Sequence, residues 1–354
     1  MKKITVDARM IDSSGIGTVI KNILKRLIIF KPDWHFCILG DTDKLKQYTF
    51  MLKNNVQLIN CKAPIYSLNE QLELNQKIPK DTDIMWSPHY NIPIFYRGEL
   101  LVTVHDIFHL AMPQFVKGIN KKLYARCMFY MVKKKATHIV CVSKFTANEL
   151  RKYVGINDND ISVIYNGIDE EWFNIAKDKP IYDKPYLLFV GNVKPHKNLI
   201  NLVKAFKLIK DKIPHDLVIV GKKEGFITAD NQIDNLVKDL KDRIVFTGYV
   251  EDSILKQYYK QADLFVFPSL YEGFGIPPLE ALATSIKVIA SDISSVREIC
   301  DNMVEYFNPE DVSDISSCII NNINIKTYTD RDKLQYYNWN NTVEQYIKLI
   351  EKYS

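Results

Sequence analysis

The strongest constraint on the fold of this chain is an alternation that runs nearly from end to end. Short apolar runs rich in Val, Ile, Leu and Phe follow one another, separated by stretches whose apolar residues recur at helical spacing. Strands that alternate with helices predict parallel sheets covered by helices on both faces, an α/β fold of the doubly wound kind. A first series of strands is expected at 4–7, 34–40, 56–60, 84–87, 100–105, 138–143 and 162–165. A second is expected at 186–191, 217–221, 244–248, 264–268, 288–291 and 304–307. Helical periodicity falls at 18–30, 119–135 and 147–154, and again at 199–213, 252–261, 278–284, 296–300 and 312–322. Between the two series lie a turn signal, Asn166-Gly-Ile-Asp169, and a Lys/Asp/Pro-rich stretch, 176–185. Residues 167–184 are read as an interdomain link. The chain then divides into an N-terminal domain, 1–170, and a C-terminal domain, 171–338, followed by a last helix over about 339–353. Ligands of open α/β sheets sit at the carboxyl edge of the strands, so the expected site lies where such edges meet.

A length of 354 residues, 47% hydrophobic and 25% charged, suffices for two such domains. The six cysteines form no Cys-x-x-Cys pair, so neither zinc nor a redox couple is indicated and reduced core thiols are expected. The N-terminus reads as a first strand, no stretch reaches the length of a membrane span, and a cytoplasmic location is expected. The net charge of +5 is uneven: residues 1–175 carry +7 and the remainder −2. Residues 113–155 hold ten basic residues and one acid, Glu149, with Phe115, Tyr124, Phe129 and Tyr130 interleaved. Two readings of that stretch stand side by side, a face for anionic membrane or phosphate-bearing lipid and an ordinary solvated helix. Lys117, Lys121 and Lys135 are spaced to share one helical face. Nucleic acid is not expected as a partner, because no recognition module is visible.

Chemistry concentrates in Phe267-Pro-Ser-Leu-Tyr-Glu-Gly-Phe-Gly-Ile-Pro-Pro-Leu-Glu280, which follows an apolar strand and runs into a helix. Gly273 and Gly275 allow a close backbone approach, Pro277 or Pro278 fits a first helical turn, and the helix start suits a phosphate. Glu272 and Glu280, eight apart across the turn, can accept hydroxyl hydrogen bonds from different parts of one polyhydroxylated ligand. The plainer alternative makes Glu280 a complement to the helix dipole and Glu272 a loop charge. Three further segments end strands or open helices: Gly191-Asn-Val-Lys-Pro-His-Lys197, Gly15-Ile-Gly17 and His105-Asp106. Trp86-Ser-Pro-His-Tyr-Asn91 ends another strand and reads either as acceptor pocket or as plain loop.

The 267–280 segment resembles the Glu-x7-Glu motif of retaining glycosyltransferases of the GT-B fold, specifically glycosyltransferase family 4. The resemblance implies two facing Rossmann-like domains, the donor held mainly by the second, and a last helix that crosses back to the first. It implies that Glu272 contacts the donor sugar and Glu280 the nucleotide ribose, with the backbone of Phe274, Gly275 and Ile276 near sugar and diphosphate. The 189–199 segment resembles the family's basic diphosphate-binding segment. Lys197 matches the family lysine, whereas Asn192 stands where the family has arginine, and Lys194 or His196 can supply the missing cation. Gly15 and Gly17 match the family's N-terminal glycine-rich loop, and His105 matches its strand-end histidine, with Asp106 as a possible orienter. The catalytic set so implied is His105, Glu272 and Lys197. The family implies front-face displacement, in which the leaving phosphate draws the acceptor proton. The donor is a substrate and no cofactor is expected. The triplets Asp41-Thr-Asp43, Asp81-Thr-Asp83 and Asp158-Asn-Asp160 read as a cap and turns, so no metal is expected.

The expected function is transfer of a hexosyl group, mannosyl or similar, from a nucleotide sugar to a glycan acceptor, lipid-linked by preference, in cell-surface polysaccharide synthesis. Peripheral attachment at the inner face of the membrane would follow. Two other classes remain, a sugar-nucleotide epimerase of the same architecture and a non-catalytic sugar-nucleotide-binding partner.

Overall fold

The computed structural model describes residues 1–176, 178–221, 236–238, 240, 242–325 and 330–354. The chain divides into two compact units, Met1–Gly167 with Trp339–Ser354, and Ile168–Asn338.

The first unit is built on a seven-stranded parallel sheet in the order β3-β2-β1-β4-β5-β6-β7. These strands are β1 (Lys3–Asp7), β2 (His35–Gly40), β3 (Val56–Asn60), β4 (Ile84–Ser87), β5 (Glu99–Val104), β6 (His138–Cys141) and β7 (Ile161–Val163). The central strands are buried on both faces, which is why they read as unbroken apolar runs. The order reverses direction between β1 and β4, which pair through Ile4–Ile84 and Val6–Trp86. The last helix, Trp339–Tyr353, belongs to this unit and packs on the helix Ser14–Phe30. Its Tyr346 is buried edge-on to Trp86, and its hydroxyl pairs with Thr103, which also receives the indole N–H of Trp86. Trp86 is thus core rather than ligand-facing.

The second unit carries a six-stranded parallel sheet, β10-β9-β8-β11-β12-β13. Its strands are β8 (Tyr186–Val190), β9 (Asp216–Val220), β10 (Ile244–Gly248), β11 (Leu264–Phe267), β12 (Lys287–Ser291) and β13 (Glu305–Phe307). Here the order reverses between β8 and β11, which pair through Leu187–Leu264 and Leu188–Phe265.

Residues 167–184 do not form a free link. From Ile168 onward the described part belongs to the second unit, where Trp172 is buried against the ring of Tyr259 at 5.2 Å. The backbone N–H groups of Asp178 and Ile181 donate to Gln257 and Gln261. Tyr182 and Lys184 both reach the buried Asp216, which also receives Arg243. The Lys/Asp/Pro composition suggested a linker, but one buried tryptophan and the carboxylate of Asp216 tie the segment down.

Candidate active site

In an open parallel sheet the loops leaving the two strands at the point of reversal splay apart and leave a crevice. In the second unit those loops follow β8 and β11, and they carry Lys197 and Glu272. The first loop ends in a single tight turn, Pro195–Lys197. Asn198 then adopts a left-handed conformation at the start of the helix Leu199–Ile209 and anchors itself by donating to the carbonyl oxygen of Pro309. The second loop is tied to the first, because the N–H of Leu270 donates to the carbonyl oxygen of His196 at 2.7 Å. The outcome is an ion pair: Lys197 Nζ lies 2.5 Å from Glu272 Oε1, with the side chains 20% and 14% exposed. Lys197 Nζ also lies 5.8 Å from the centre of the Phe267 ring. Asn192 and His196 are half-buried in the same loop, and Lys194 is exposed.

Gly275 stands at the start of the helix Ile276–Ala283 with φ +103°, a conformation that costs a side-chain-bearing residue energy even though a Cβ there would have no neighbour closer than 3.9 Å. Ile276, Pro277 and Pro278 fill the first three helical positions. Two of the three have no N–H, so this helix start offers fewer anion donors than an ordinary one. Any anion held here must draw on the N–H groups of Gly273 to Ile276, and on a lysine. Phe274 itself is buried, with its ring edge-on to Tyr337 at 6.1 Å.

Glu280 lies in the second turn of that helix. Tyr259, itself fully buried, donates its hydroxyl to Glu280 Oε2 at 3.1 Å. Burial raises the Glu280 carboxyl to about 7; the Tyr259 hydroxyl works in the opposite direction, while Asp252 and Asp169 add to the rise. This acid therefore holds its proton in the folded chain between about pH 4.5 and 7, where the unfolded chain has released it. Its contribution to stability is complete below that window and is lost as pH rises through it. Glu280→Gln is therefore expected to melt above wild type at pH 8 and to show no such gain at pH 5, as followed by circular dichroism. An equal difference at both values would rule out a buried proton on Glu280.

In the first unit, His105 directly follows β5. Its Nε2 lies 2.8 Å from the carbonyl oxygen of Pro88, which can only accept, so the ring proton sits on Nε2 and Nδ1 is left as an acceptor. Burial lowers its pKa, against the pull of that hydrogen bond and of Asp106, so the ring is neutral. Asp106 Oδ1 accepts the N–H of Phe108, which makes it a cap for the following turn. Gly15 and Gly17 do not form a loop: the helix begins at Ser14, and both lie in its first turn. A Cβ at Gly17 would stand 2.2 Å from the carbonyl oxygen of Ile11, so this glycine is required by the fold of its own chain. Gly15 has open space around it. The glycines therefore open a helix rather than form a separate loop.

Sequence reasoning passed over a second cluster, at the reversal point of the first sheet. Arg9, two residues beyond β1, donates from Nε and Nη2 to Asp7 and from Nη2 to Glu70. Glu70 belongs to the helix Leu68–Lys77, whose start is capped by Ser67. The pattern Ser67-x-x-Glu70 is a capping-box signal that could have revealed this helix.

The aspartate triplets are engaged elsewhere. Asp41 caps a short helix and pairs with Lys62, Asp81 and Asp83 hold Lys3, and Asp158 pairs with Arg151. Among the described residues no group of three or more His, Cys, Asp or Glu is arranged around a common point.

Comparison with known proteins agrees with this architecture. A family model for glycosyl transferases group 1 matches residues 170–338, and one for glycosyltransferase family 4 matches residues 14–172. The O-antigen chain mannosyltransferase RfbU of Salmonella typhimurium is 34% identical over 239 residues, 67% of this chain and 64% of that protein. The chain thus spans a little under two thirds of the length of that relative. The O-antigen chain mannosyltransferase B of Escherichia coli is 26% identical over 288 residues, 75% of this chain and 73% of that protein. The crystal structure of Anabaena Alr3699/HepE in complex with UDP and glucose superposes with a TM-score of 0.77 at 16% identity, over 99% of this chain and all of that one. That likeness shows the fold, GT-B with two Rossmann-like domains. With one model matched to each half, the chain belongs to the glycosyltransferases, group 1 over its second unit and family 4 over its first.

Proposed function

We propose that this chain is a retaining, metal-independent hexosyltransferase that moves a mannosyl or similar group from a nucleotide sugar to a hydroxyl of a glycan acceptor, lipid-linked, in cell-surface polysaccharide synthesis. The observation that carries the reading is the Lys197–Glu272 pair at the reversal point of the second sheet. The names of the mannosyltransferase relatives support the mannosyl donor over a UDP-hexose, and they weigh against an epimerase or a non-catalytic partner.

The pair suggests an order of events. Before the donor arrives, Lys197 and Glu272 neutralise each other. A diphosphate brings more negative charge than one carboxylate and draws the ammonium to itself. Glu272 is then free to accept hydrogen bonds from the sugar, while Glu280 takes the ribose hydroxyls. As the bond from the anomeric carbon to the diphosphate breaks, charge builds on the leaving oxygen, and a preorganised cation lowers that barrier. The acceptor oxygen bonds to the anomeric carbon from the same face, and its proton passes to the departing diphosphate. His105, neutral with Nδ1 open, serves as a hydrogen-bond acceptor for a sugar hydroxyl rather than as an acid.

The test is a transfer assay against GDP-mannose and UDP-hexoses, run after metal stripping with excess EDTA. Undiminished transfer from GDP-mannose is expected. Activity lost on chelation and restored by Mn²⁺ would refute the proposal that Lys197 and backbone N–H groups alone hold the diphosphate.

The membrane reading gains a different face from the one the lysine spacing suggested. Lys117 precedes the helix Ile119–Lys135, and Lys135 donates to the carbonyl oxygen of Tyr96. The outward side instead presents Ile119, Leu123 and Tyr130, which are 81%, 64% and 57% exposed. At spacings of four and seven they form one stripe, and Arg126, Lys133 and Lys134 lie on the same side. Apolar residues flanked by cations suit an anionic lipid surface, at about 1 kcal/mol per nearby cation. Among the described residues no helix is long and apolar enough to cross a membrane. Leu123→Glu with Lys134→Glu is expected to reduce co-sedimentation with anionic liposomes about tenfold or more, since two cation-scale contributions are lost or reversed. Wild-type chain that ignores such liposomes at low salt would remove the support for a lipid-linked acceptor.

A further inference from the structure

The first sheet reverses between β1 and β4, and the crevice left there is lined by Asp7, Arg9, Met10, Ile65, Pro88, His89 and Asn91. It has room for about one water-sized group. Arg9 dominates it. The side chain is 4% exposed, and Nε and Nη2 are held at 2.8 Å and 2.6 Å by Asp7 and at 2.7 Å by Glu70. Nη1, also buried, has no partner among the described residues. Two idle N–H donors on a buried guanidinium are costly, about 1–3 kcal/mol for an ordinary donor and more for a charged one. Buried polar groups left in this condition call for an explanation.

We propose that this crevice is a subsite for one hydroxyl of an uncharged sugar, the oxygen accepting from Arg9 Nη1. The proposal rests on the glycosyltransferase reading and names the acceptor glycan as the occupant. Charge decides between a neutral group and an anion. One guanidinium faces two carboxylates, and the nearest imidazole adds no positive charge: burial, together with His105, His109 and Arg9, lowers the His89 pKa to about 3. A phosphate or carboxylate would enter against an excess of negative charge. A hydroxyl meets no such barrier. It accepts from Nη1 and donates its own hydrogen to Asp7 Oδ2, which also receives Arg9 Nη2.

The surroundings are stiff and partly aromatic, as a sugar subsite requires. Glu70 accepts from Arg9, from Asn91 Nδ2 at 2.5 Å and from the Tyr66 N–H at 2.8 Å. Tyr66 is held at φ +69°, a strained conformation that persists only where neighbours impose it. Its ring stands edge-on to His89 and to Tyr124, and Tyr124 donates to Asn91 Oδ1. His89 Nδ1 accepts the N–H of Asn91, which leaves the ring proton on Nε2 as a further donor.

The experiment is saturation-transfer NMR on the full chain with millimolar methyl α-mannoside as the probe and inorganic phosphate as competitor. A glycoside signal that phosphate does not displace is expected. Replacing Arg9→Gln together with Glu70→Gln keeps the charge balance while removing Nη1, and the signal is expected to fall at least tenfold in a variant whose melting curve shows it folded. If that pair fails to fold, Arg9→Lys keeps a cation between the carboxylates and is expected to lose the signal likewise. No glycoside signal from wild type, displacement by phosphate, or an unchanged signal in a folded variant overturns the subsite. Because the readout needs no donor, it separates the two proposals. Turnover without glycoside binding refutes the subsite alone, and glycoside binding in a chain that turns over no donor refutes the transferase reading alone.

Discussion

Glu272→Ala is expected to lose transfer by roughly a hundredfold to a thousandfold while binding free nucleoside diphosphate no more weakly than wild type, and probing both separates two roles of one ion pair. The carboxylate is proposed to hold sugar hydroxyls, so its loss falls on the step where donor and transition state differ. In the unliganded chain, however, the same carboxylate competes with the diphosphate for Lys197, which lies 2.5 Å away. Removing it frees the ammonium. Isothermal titration with GDP or UDP should therefore show affinity kept or increased, beside a transfer assay that has collapsed. Folding of the variant is followed by its melting curve, because the two side chains are only 20% and 14% exposed and removal of one partner leaves the other mostly buried. Near-normal transfer in the folded variant would remove Glu272 from the sugar site.

Lys197→Ala is expected to weaken both transfer and nucleoside diphosphate binding, with transfer reduced by about 2–4 kcal/mol of barrier, the scale for losing a preorganised charge stabiliser. The loss should exceed that of an exposed lysine, because Glu272 is left unpaired beside the incoming diphosphate. The double variant Lys197→Ala with Glu272→Ala should then bind nucleoside diphosphate better than Lys197→Ala alone. Residues in contact couple, and removing the repelling carboxylate restores part of what the lysine supplied. Unchanged transfer in Lys197→Ala would assign the cation to Lys194, which is exposed in the same loop.

The strands were legible because parallel strands buried on both faces must be apolar throughout. The central strands lie on apolar runs visible in the chain, whereas Val56–Asn60 and Ile161–Val163, at the two edges of the first sheet, are only partly buried and carry polar residues. Their ends were less legible: His105 falls one residue beyond β5, and the helix at Gly15 and Gly17 begins earlier than its periodicity suggested. Glycine argued for a loop there, yet Gly17 is a glycine because the carbonyl oxygen of Ile11 leaves no room for a side chain. The stretch 167–184 was misread for a similar reason. Composition reports polarity, whereas the burial of Trp172 against Tyr259 depends on a residue 87 positions away.

By itself, the sequence determined the class of fold, the order of its strands and helices, and the loops that could hold a polyhydroxylated phosphate ester, because each is a local property of periodicity, glycine, proline and charge. Tertiary structure alone decided which of those groups meet. It paired Lys197 with Glu272, 75 residues apart in the chain, and set the Tyr259 hydroxyl on Glu280 in a site dry enough to raise that acid to about 7. It also gathered Asp7, Arg9, Glu70 and Asn91, from three separate segments, into one buried cluster. Contacts of this kind arise where a parallel sheet reverses its order and brings the ends of non-consecutive strands side by side. No local pattern encodes which side chains will face each other there.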